Sequence, residues 1–233
     1  MDSISNDSFI VPDLLISERE GGYAKGDEVR EQILRAALSI LVENGYRAMS
    51  MRRVAKESGL KFGNLTYYYP SREDLVRDLL EAIIRAYEIQ FDQIVQEPDV
   101  SSEFRLAEYC SLVLEDIRTK KTTRVFPELW ALANHDAFVS ERVQELYTRA
   151  RKSLVSIVGE MRPDLGDNER DALALFVSAS MEGLTVFAGF EKPFEARMPW
   201  MENISIRAFI EVIRNAVPED FEDKQLWLDI SRK

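Results

Sequence analysis

Apolar residues recur at steps of three and four along most of the chain, the period of a helix with one buried face. Val29, Ile33, Ala36, Ala37, Ile40 and Leu41 share such a face from residue 27 onward. Asn44-Gly45 stops it, because Gly takes a left-handed cap conformation cheaply. Ser50 is placed to cap a short second helix, with Met51, Val54 and Ala55 inward, and Ser58-Gly59 ends it. A third, very short helix fits between Lys61 and Tyr67. Ser71 opens a long fourth helix. Asp74 stands three residues on, as in a capping box, and Leu75, Leu79, Ile83, Tyr87, Phe91 and Ile94 form its stripe. The pattern then predicts helices over about 102–117, 125–133, 138–161, 167–189 and 201–217, with Thr119 to Thr123 as a break and Pro127 in a first turn. Residues 1–26 show no lasting period and read as a flexible arm. Residues 219–233 read as an acidic tail, with Phe221, Leu226, Trp227 and Ile230 on a short helix. No alternating run sits beside a hairpin turn. The expected fold is all-α: a small N-terminal bundle joined through the shared fourth helix to a larger helical domain, about nine helices in total.

Composition narrows the chemistry. The 233 residues include one Cys and one His. Cys110 and His135 therefore exclude an internal disulfide framework and every metal motif that needs two of either residue. No metal site and no cofactor are expected. No stretch approaches 18 consecutive apolar residues, and the acidic, polar start has no signal-peptide character, so no membrane partner is expected and the cytoplasm is the default location. The net charge of −11 argues against a surface that coats nucleic acid throughout. The charge is uneven, however. Residues 25–78 hold ten basic and eight acidic side chains, a mildly basic segment on an acidic body, which suggests a local anionic partner.

That segment contains the functional pattern. Three short helices, the last two linked by a Gly-containing turn, have the shape of a helix-turn-helix, whose third helix fits the major groove. Lys61, Asn64, Thr66, Tyr67 and Tyr68 offer donors to phosphates and base edges, while Leu65 points into the small core. Arg72 at a helix start is unfavourable to the dipole, which favours a phosphate partner for it.

Ile33-Leu34-Arg35-Ala36-Ala37, Asn44-Gly45-Tyr46, Ser50-Met51-Arg52-Arg53-Val54-Ala55, Ser58-Gly59-Leu60, Gly63-Asn64-Leu65-Thr66-Tyr67-Tyr68-Tyr69 and Ser71-Arg72-Glu73-Asp74-Leu75 follow one another in an ordered series. This series resembles the DNA-binding domain of TetR-family transcriptional regulators over about residues 27–87, with the helix-turn-helix at about 50–69. The resemblance implies DNA contacts from Ser50, Arg52, Arg53, Lys61, Phe62, Gly63, Asn64, Thr66, Tyr67, Tyr68 and Arg72. Thr66 replaces a frequent tyrosine, Tyr68 a histidine, Tyr69 a phenylalanine and Pro70 a lysine; these departures imply an altered operator preference.

Beyond residue 87 the resemblance is architectural. It implies that residues 88–218 form a helical ligand-binding and dimerisation domain. No catalytic constellation or nucleotide fingerprint is present there, and the chain does not read as an enzyme. Aromatic and apolar residues fill it. A pocket between its helices would draw on Tyr109, Cys110, Val113, Phe126, Trp130, Tyr147 and Phe176, with His135, Asn134, Glu115 and Glu182 as polar handles. Leu175, Ala179, Gly183, Leu184, Phe187, Phe209 and Ile213 on the last two helices would meet their copies across a two-fold axis. The expected partners are a near-palindromic double-stranded DNA operator, a small, mainly apolar effector and a second copy of the chain. A repressor released by its effector is the leading reading. An activator, or a helical small-molecule binding protein or enzyme without DNA affinity, stands as the alternative.

Overall fold

The computed structural model describes residues 13–17 and 24–222, and among them are nine α-helices and no strand. They are α1 (Ala24–Asn44), α2 (Met51–Glu57), α3 (Phe62–Tyr68), α4 (Arg72–Gln96), α5 (Ser102–Ile117), α6 (Lys120–Ala133), α7 (Ala137–Met161), α8 (Asp167–Ala188) and α9 (Met198–Asn215). Local chemistry sets their starts. Ser50, Ser71, Ser101, Thr119 and Asp136 each accept a bond from the backbone N–H three residues on. At Ser71 the box is complete, because Asp74 returns a bond to the Ser71 N–H. Each such cap stabilises its helix by roughly 1 kcal/mol.

α1 and α9 each start three residues before the expected position, and α6 departs most. Thr119 caps α6, so the expected break shrinks to a single turn and the helix begins at Lys120. Pro127 consequently lies well inside α6, not in its first turn.

The buried side chains form two clusters along α4. The first gathers α1, α2, α3 and the first half of α4 around Ile33, Leu65, Leu75 and Leu79, and takes in Phe126 and Leu129 of α6 and Val139 and Leu146 of α7. The second joins the far half of α4 to α5, α7, α8 and α9 around Phe91, Leu106, Ile157 and Val177. Tyr87 packs against both clusters. The small bundle is therefore not a separate body, since α6 and α7 finish its core.

Residues 13–17 lie within the stretch expected as an arm, and they are packed. Leu14 is buried, the Leu15 N–H bonds the Ala82 carbonyl at 2.9 Å, and the Ser17 carbonyl accepts from Arg30 at 2.9 Å. Residues 24–26, also expected in the arm, form the first turn of α1, and residues 1–12, 18–23 and the tail after residue 222 lie outside the described residues.

Two charged networks hold α4. Arg30, only 3% exposed, bonds Asp27 and both oxygens of Asp78, and Asp78 also accepts the Tyr69 hydroxyl at 2.5 Å. Further along, Arg149 of α7 makes paired bonds to Glu81 and Glu88 of α4, at 2.6 to 3.1 Å. Planar guanidinium matches two carboxylates at once, so this clamp fixes the register of α7 on α4. Arg149→Ala is expected to lower stability by about 1–3 kcal/mol. Urea unfolding followed by circular dichroism checks this; an unchanged midpoint would show that the clamp is only a surface ornament.

Candidate nucleic-acid interface and inner cavity

The turn between α2 and α3 is built by a glycine. Gly59 has φ +68°, its N–H bonds the Lys56 carbonyl, and the Leu60 N–H reaches back to Ala55. Those paired bonds satisfy the last carbonyls of α2 and turn the chain sharply into α3. Leu65 and Tyr69 then anchor α3 from below, both almost fully buried.

This anchoring presents the other face of α3 to solvent. Lys61, Gly63 and Asn64 are exposed, Phe62 is 46% exposed and Tyr67 83%. Tyr67 and Tyr68 meet edge to face at 5.3 Å, and Arg52 of α2 reaches over the Phe62 ring. At 83% exposure the Tyr67 ring and hydroxyl are both free to meet a partner. Other expected contacts are already engaged. Ser50 caps α2, Arg53 donates to Asn44, and the Thr66 hydroxyl donates to the Gly63 carbonyl.

Arg72 has partners within the chain that the sequence reading did not foresee. Its guanidinium lies 4.0 Å above the Tyr46 ring and donates to the Tyr46 carbonyl at 2.6 Å. The ring face and carbonyl supply the negative potential that the helix start lacks. Arg72 thus ties α4 to the turn after α1. The same turn leans on α6. Gly45 has φ +82°, a Cβ there would come within 2.8 Å of Glu128, and Glu128 accepts the Tyr46 N–H at 2.7 Å.

Between α4, α5, α6, α7 and α8 lies an inner cavity of about 50 Å³. Of the expected pocket residues, Tyr109, Val113, Phe126, Tyr147 and Glu182 line it. Four others do not. Cys110 is buried in the packing beside it, and its thiol is pushed up by that burial. Trp130 lies in an outer groove and donates to the Tyr147 hydroxyl at 2.8 Å. His135 is exposed in the α6–α7 turn. Phe176 is half-exposed on α8 and meets Phe209 edge to face. Of the remaining handles, Asn134 and Glu115 are exposed.

The cavity also has walls that the sequence reading passed over. Tyr87, Glu88 and Phe91 of α4, Asp116 of α5 and Thr122 of α6 line it. The Tyr87 and Thr122 hydroxyls both donate to Asp116, which also pairs with Lys121 at 3.4 Å. Tyr87 and Phe91 had read as plain core positions in the α4 stripe. Asp116 stands beside Glu115 at the end of α5, and nothing in the local sequence separates the buried acid from the exposed one. Burial pushes the Tyr87, Tyr109 and Tyr147 hydroxyls up from their ordinary value. Glu182 is raised to about 7, first by burial, and also by the charge of Asp116.

Outside the cavity, α7 and α8 border a groove of about 660 Å³ that includes Trp130, Arg151, Leu175 and Val186. Tyr147, Ser178 and Glu182 belong to both cavity and groove. The outer face of α8 is apolar: Leu175, Ala179, Gly183 and Phe187 are exposed there, with Phe176 and Val186 beside them, and Leu184 is half-buried. On α9, Trp200, Ile204 and Val212 form an exposed stripe. Phe209 and Ile213, expected at a dimer interface, face inward and are buried. The α9 helix carries two apolar stripes, and periodicity alone does not say which one turns in. An inner and an outer apolar face also make α8, among the described residues, long and apolar enough to cross a membrane by length and composition.

The chain matches two family models: that of bacterial regulatory proteins, tetR family, over residues 33–79, and that of the BetI-type transcriptional repressor C-terminal domain over residues 103–199. It is 28% identical over 179 residues to an uncharacterised HTH-type transcriptional regulator in the dhlA 5′ region of Xanthobacter autotrophicus, spanning 73% of this chain and 84% of that protein. A transcriptional regulator from Rhodococcus sp. Rha1 superposes with a TM-score of 0.65 at 18% identity, covering 81% of this chain and 99% of that one. FadR from Bacillus subtilis, solved in complex with stearoyl-CoA, superposes at 0.60 with 15% identity over 80% of this chain and 98% of that one. At these identities the two solved structures share the fold alone.

Proposed function

This chain belongs to the tetR family of bacterial regulatory proteins, a DNA-binding transcriptional regulator, and we propose that it is a dimeric repressor released from a near-palindromic operator by a small, mainly apolar effector. The observation that carries the reading is α3. Two buried anchors, Leu65 and Tyr69, leave Asn64 and Tyr67 facing outward on a helix short enough for one major groove. Lys61 and Arg52 flank that face as exposed cations suited to phosphate. A two-fold dimer carries two such faces, hence a palindrome. The chain works in the cytoplasm, where its DNA is.

The effector reading rests on α4. Tyr87 is in the cavity wall, and two to three turns earlier Asp78 holds Tyr69, the residue that ends α3. A ligand that prefers a wider cavity shifts the population towards states with α4 displaced, and α3 moves with it. The present cavity holds little more than a water or two, whereas drug-sized ligands need roughly 300 Å³ or more, so an occupied state must differ from this one. FadR, of similar fold, was solved with stearoyl-CoA, which supports an apolar effector here.

Selection from random DNA is the direct test. An enriched near-palindrome is expected, with a log–log salt slope of roughly −7 to −11 if each head neutralises about four to six phosphates. No enrichment at moderate salt would end the regulator reading.

The proposed dimer face is the exposed surface of α8 and α9. Phe187→Glu or Ile204→Glu places a charge in a desolvated contact and is expected to yield monomers in sedimentation velocity at micromolar concentration. Phe209→Glu is expected to unfold the chain instead, because Phe209 is core. A wild-type monomer at that concentration would contradict the assignment.

A further inference from the structure

The reading so far leaves residues 13–17 without a role, yet they touch both cores. Leu14 is buried in the first cluster and Ile16 packs on it, whereas Leu15 packs on the second. Three polar contacts fasten the same five residues. At one end Asp13 lies 3.7 Å from Lys121, whose ammonium also pairs with Asp116 at 3.4 Å and stands 5.4 Å from the centre of the Tyr87 ring. In the middle the Leu15 N–H donates to the Ala82 carbonyl of α4. At the other end the Ser17 carbonyl accepts from Arg30, which grips Asp78. Asp116 and Tyr87 belong to the cavity wall, and Asp78 holds Tyr69 at the end of α3.

The contacts follow α4 in order. Asp13, Leu15 and Ser17 meet it at the levels of Tyr87, Ala82 and Asp78, so the segment runs antiparallel to the helix. From Asp78 to Tyr87 the helix rises about 13 Å. The four steps from Asp13 to Ser17 reach about 13 Å when extended, so little slack is left. The attachment is one-sided. A cleft of about 490 Å³ separates the segment from Asp27, Glu28, Glu31 and Arg35 of α1, so the segment lifts off without displacing a helix. Asp13 is mostly exposed and its ion pair contributes little; the Leu14 side chain and the Leu15 N–H are the main fastenings.

Building on the effector reading above, we propose that residues 13–17 form a regulatory strap: fastened, it holds α4 in the arrangement that reads DNA, and it comes off when the cavity opens. A ligand that widens the cavity must also displace the strap, so the strap sets the threshold for release. Operator and fastened strap favour the same state. Each therefore strengthens the other by the same factor.

The test is amide hydrogen exchange of the full chain, read by mass spectrometry, with and without an operator duplex enriched from random DNA. Operator is expected to slow exchange in residues 13–17 by about fivefold or more. Leu15→Pro deletes the donor to Ala82, and its operator affinity should fall by a similar factor with an unchanged salt slope. Asp13→Lys sets like charges face to face at an exposed position, so it should fold normally and also weaken operator binding. A segment lying on DNA would give the opposite sign, because an added lysine there tightens binding and steepens the slope. Exchange in residues 13–17 that ignores the operator, or an Asp13→Lys variant that binds it more tightly, would overturn the strap. The wild-type exchange decides the matter even if Leu15→Pro fails to fold. A chain that enriches no operator contradicts the regulator. The strap is then judged without DNA: both variants should speed exchange over residues 62–68 of α3 as well as 120–126 of α6, and a change in neither would overturn it.

Discussion

Asp78→Ala is expected to destabilise the protein by about 3–5 kcal/mol, the cost of leaving one member of a buried ion pair without its partner. Arg30 is 3% exposed, and Asp78 is the acceptor that binds it with both oxygens. Once Asp78 is gone, the guanidinium keeps Asp27 as its carboxylate partner, with the Ser17 carbonyl and the Tyr69 hydroxyl beside it. The Tyr69 hydroxyl loses its acceptor in the same step, although the ring remains almost fully buried. Urea unfolding should show a lower midpoint with an unchanged slope. Arg35→Ala is the control: its pair with Glu31 is exposed at both ends, and such pairs contribute little. A loss below about 1 kcal/mol in Asp78→Ala would mean that the network is not a structural node. Because Tyr69 ends α3, a surviving variant should also bind DNA poorly.

The second large effect falls on DNA recognition and separates three classes of residue. Asn64→Ala and Tyr67→Ala remove side chains from the outward face of α3, and each is expected to cost about 1–3 kcal/mol and relax preference at particular base pairs. Lys61→Ala should weaken all sequences alike and reduce the salt slope by about one per head. Arg72→Ala belongs to neither class. Its guanidinium is committed to Tyr46, so the salt slope should stay constant while stability falls by about 1–2 kcal/mol. Fluorescence anisotropy across a salt series, on operator and scrambled duplexes, distinguishes all three. A slope that shrinks in Arg72→Ala would return that residue to the phosphate contacts.

Much of this was legible where the deciding interaction is local. Ser50, Ser71 and Gly59 act on atoms within a few residues, and so their helices began and ended close to where the chain pattern put them. The start of α6 was not legible, because a run of Lys and Thr has no apolar period although Thr119 caps it. The contact of Arg72 with Tyr46 was not legible for a related reason. The two residues are 26 apart in the chain, and no local rule brings them together. The cavity suffered most. An aromatic residue that lines a cavity and one that fills a core obey the same period, so Tyr87 and Phe91 were passed over and Phe176 and Cys110 were taken in. The inward Phe209 and outward Val212 of α9 show the same limit.

The contact of Glu128 with the turn at Gly45 and Tyr46 has a mechanical consequence. The DNA-reading head stands on two legs. One is α4, which reaches it through Asp78 and Tyr69; the other is α6, which reaches it through Glu128 and Tyr46. Both legs meet at Asp116, where Tyr87 of the first and Thr122 of the second share one carboxylate. A body carried on two legs that spread from a common joint pivots when the joint opens, because neither foot can lengthen. In the proposed mechanism, opening the cavity at Asp116 is therefore expected to turn the head through an angle, and the two heads of a dimer on one duplex would lose their phasing with the groove well before either had travelled far.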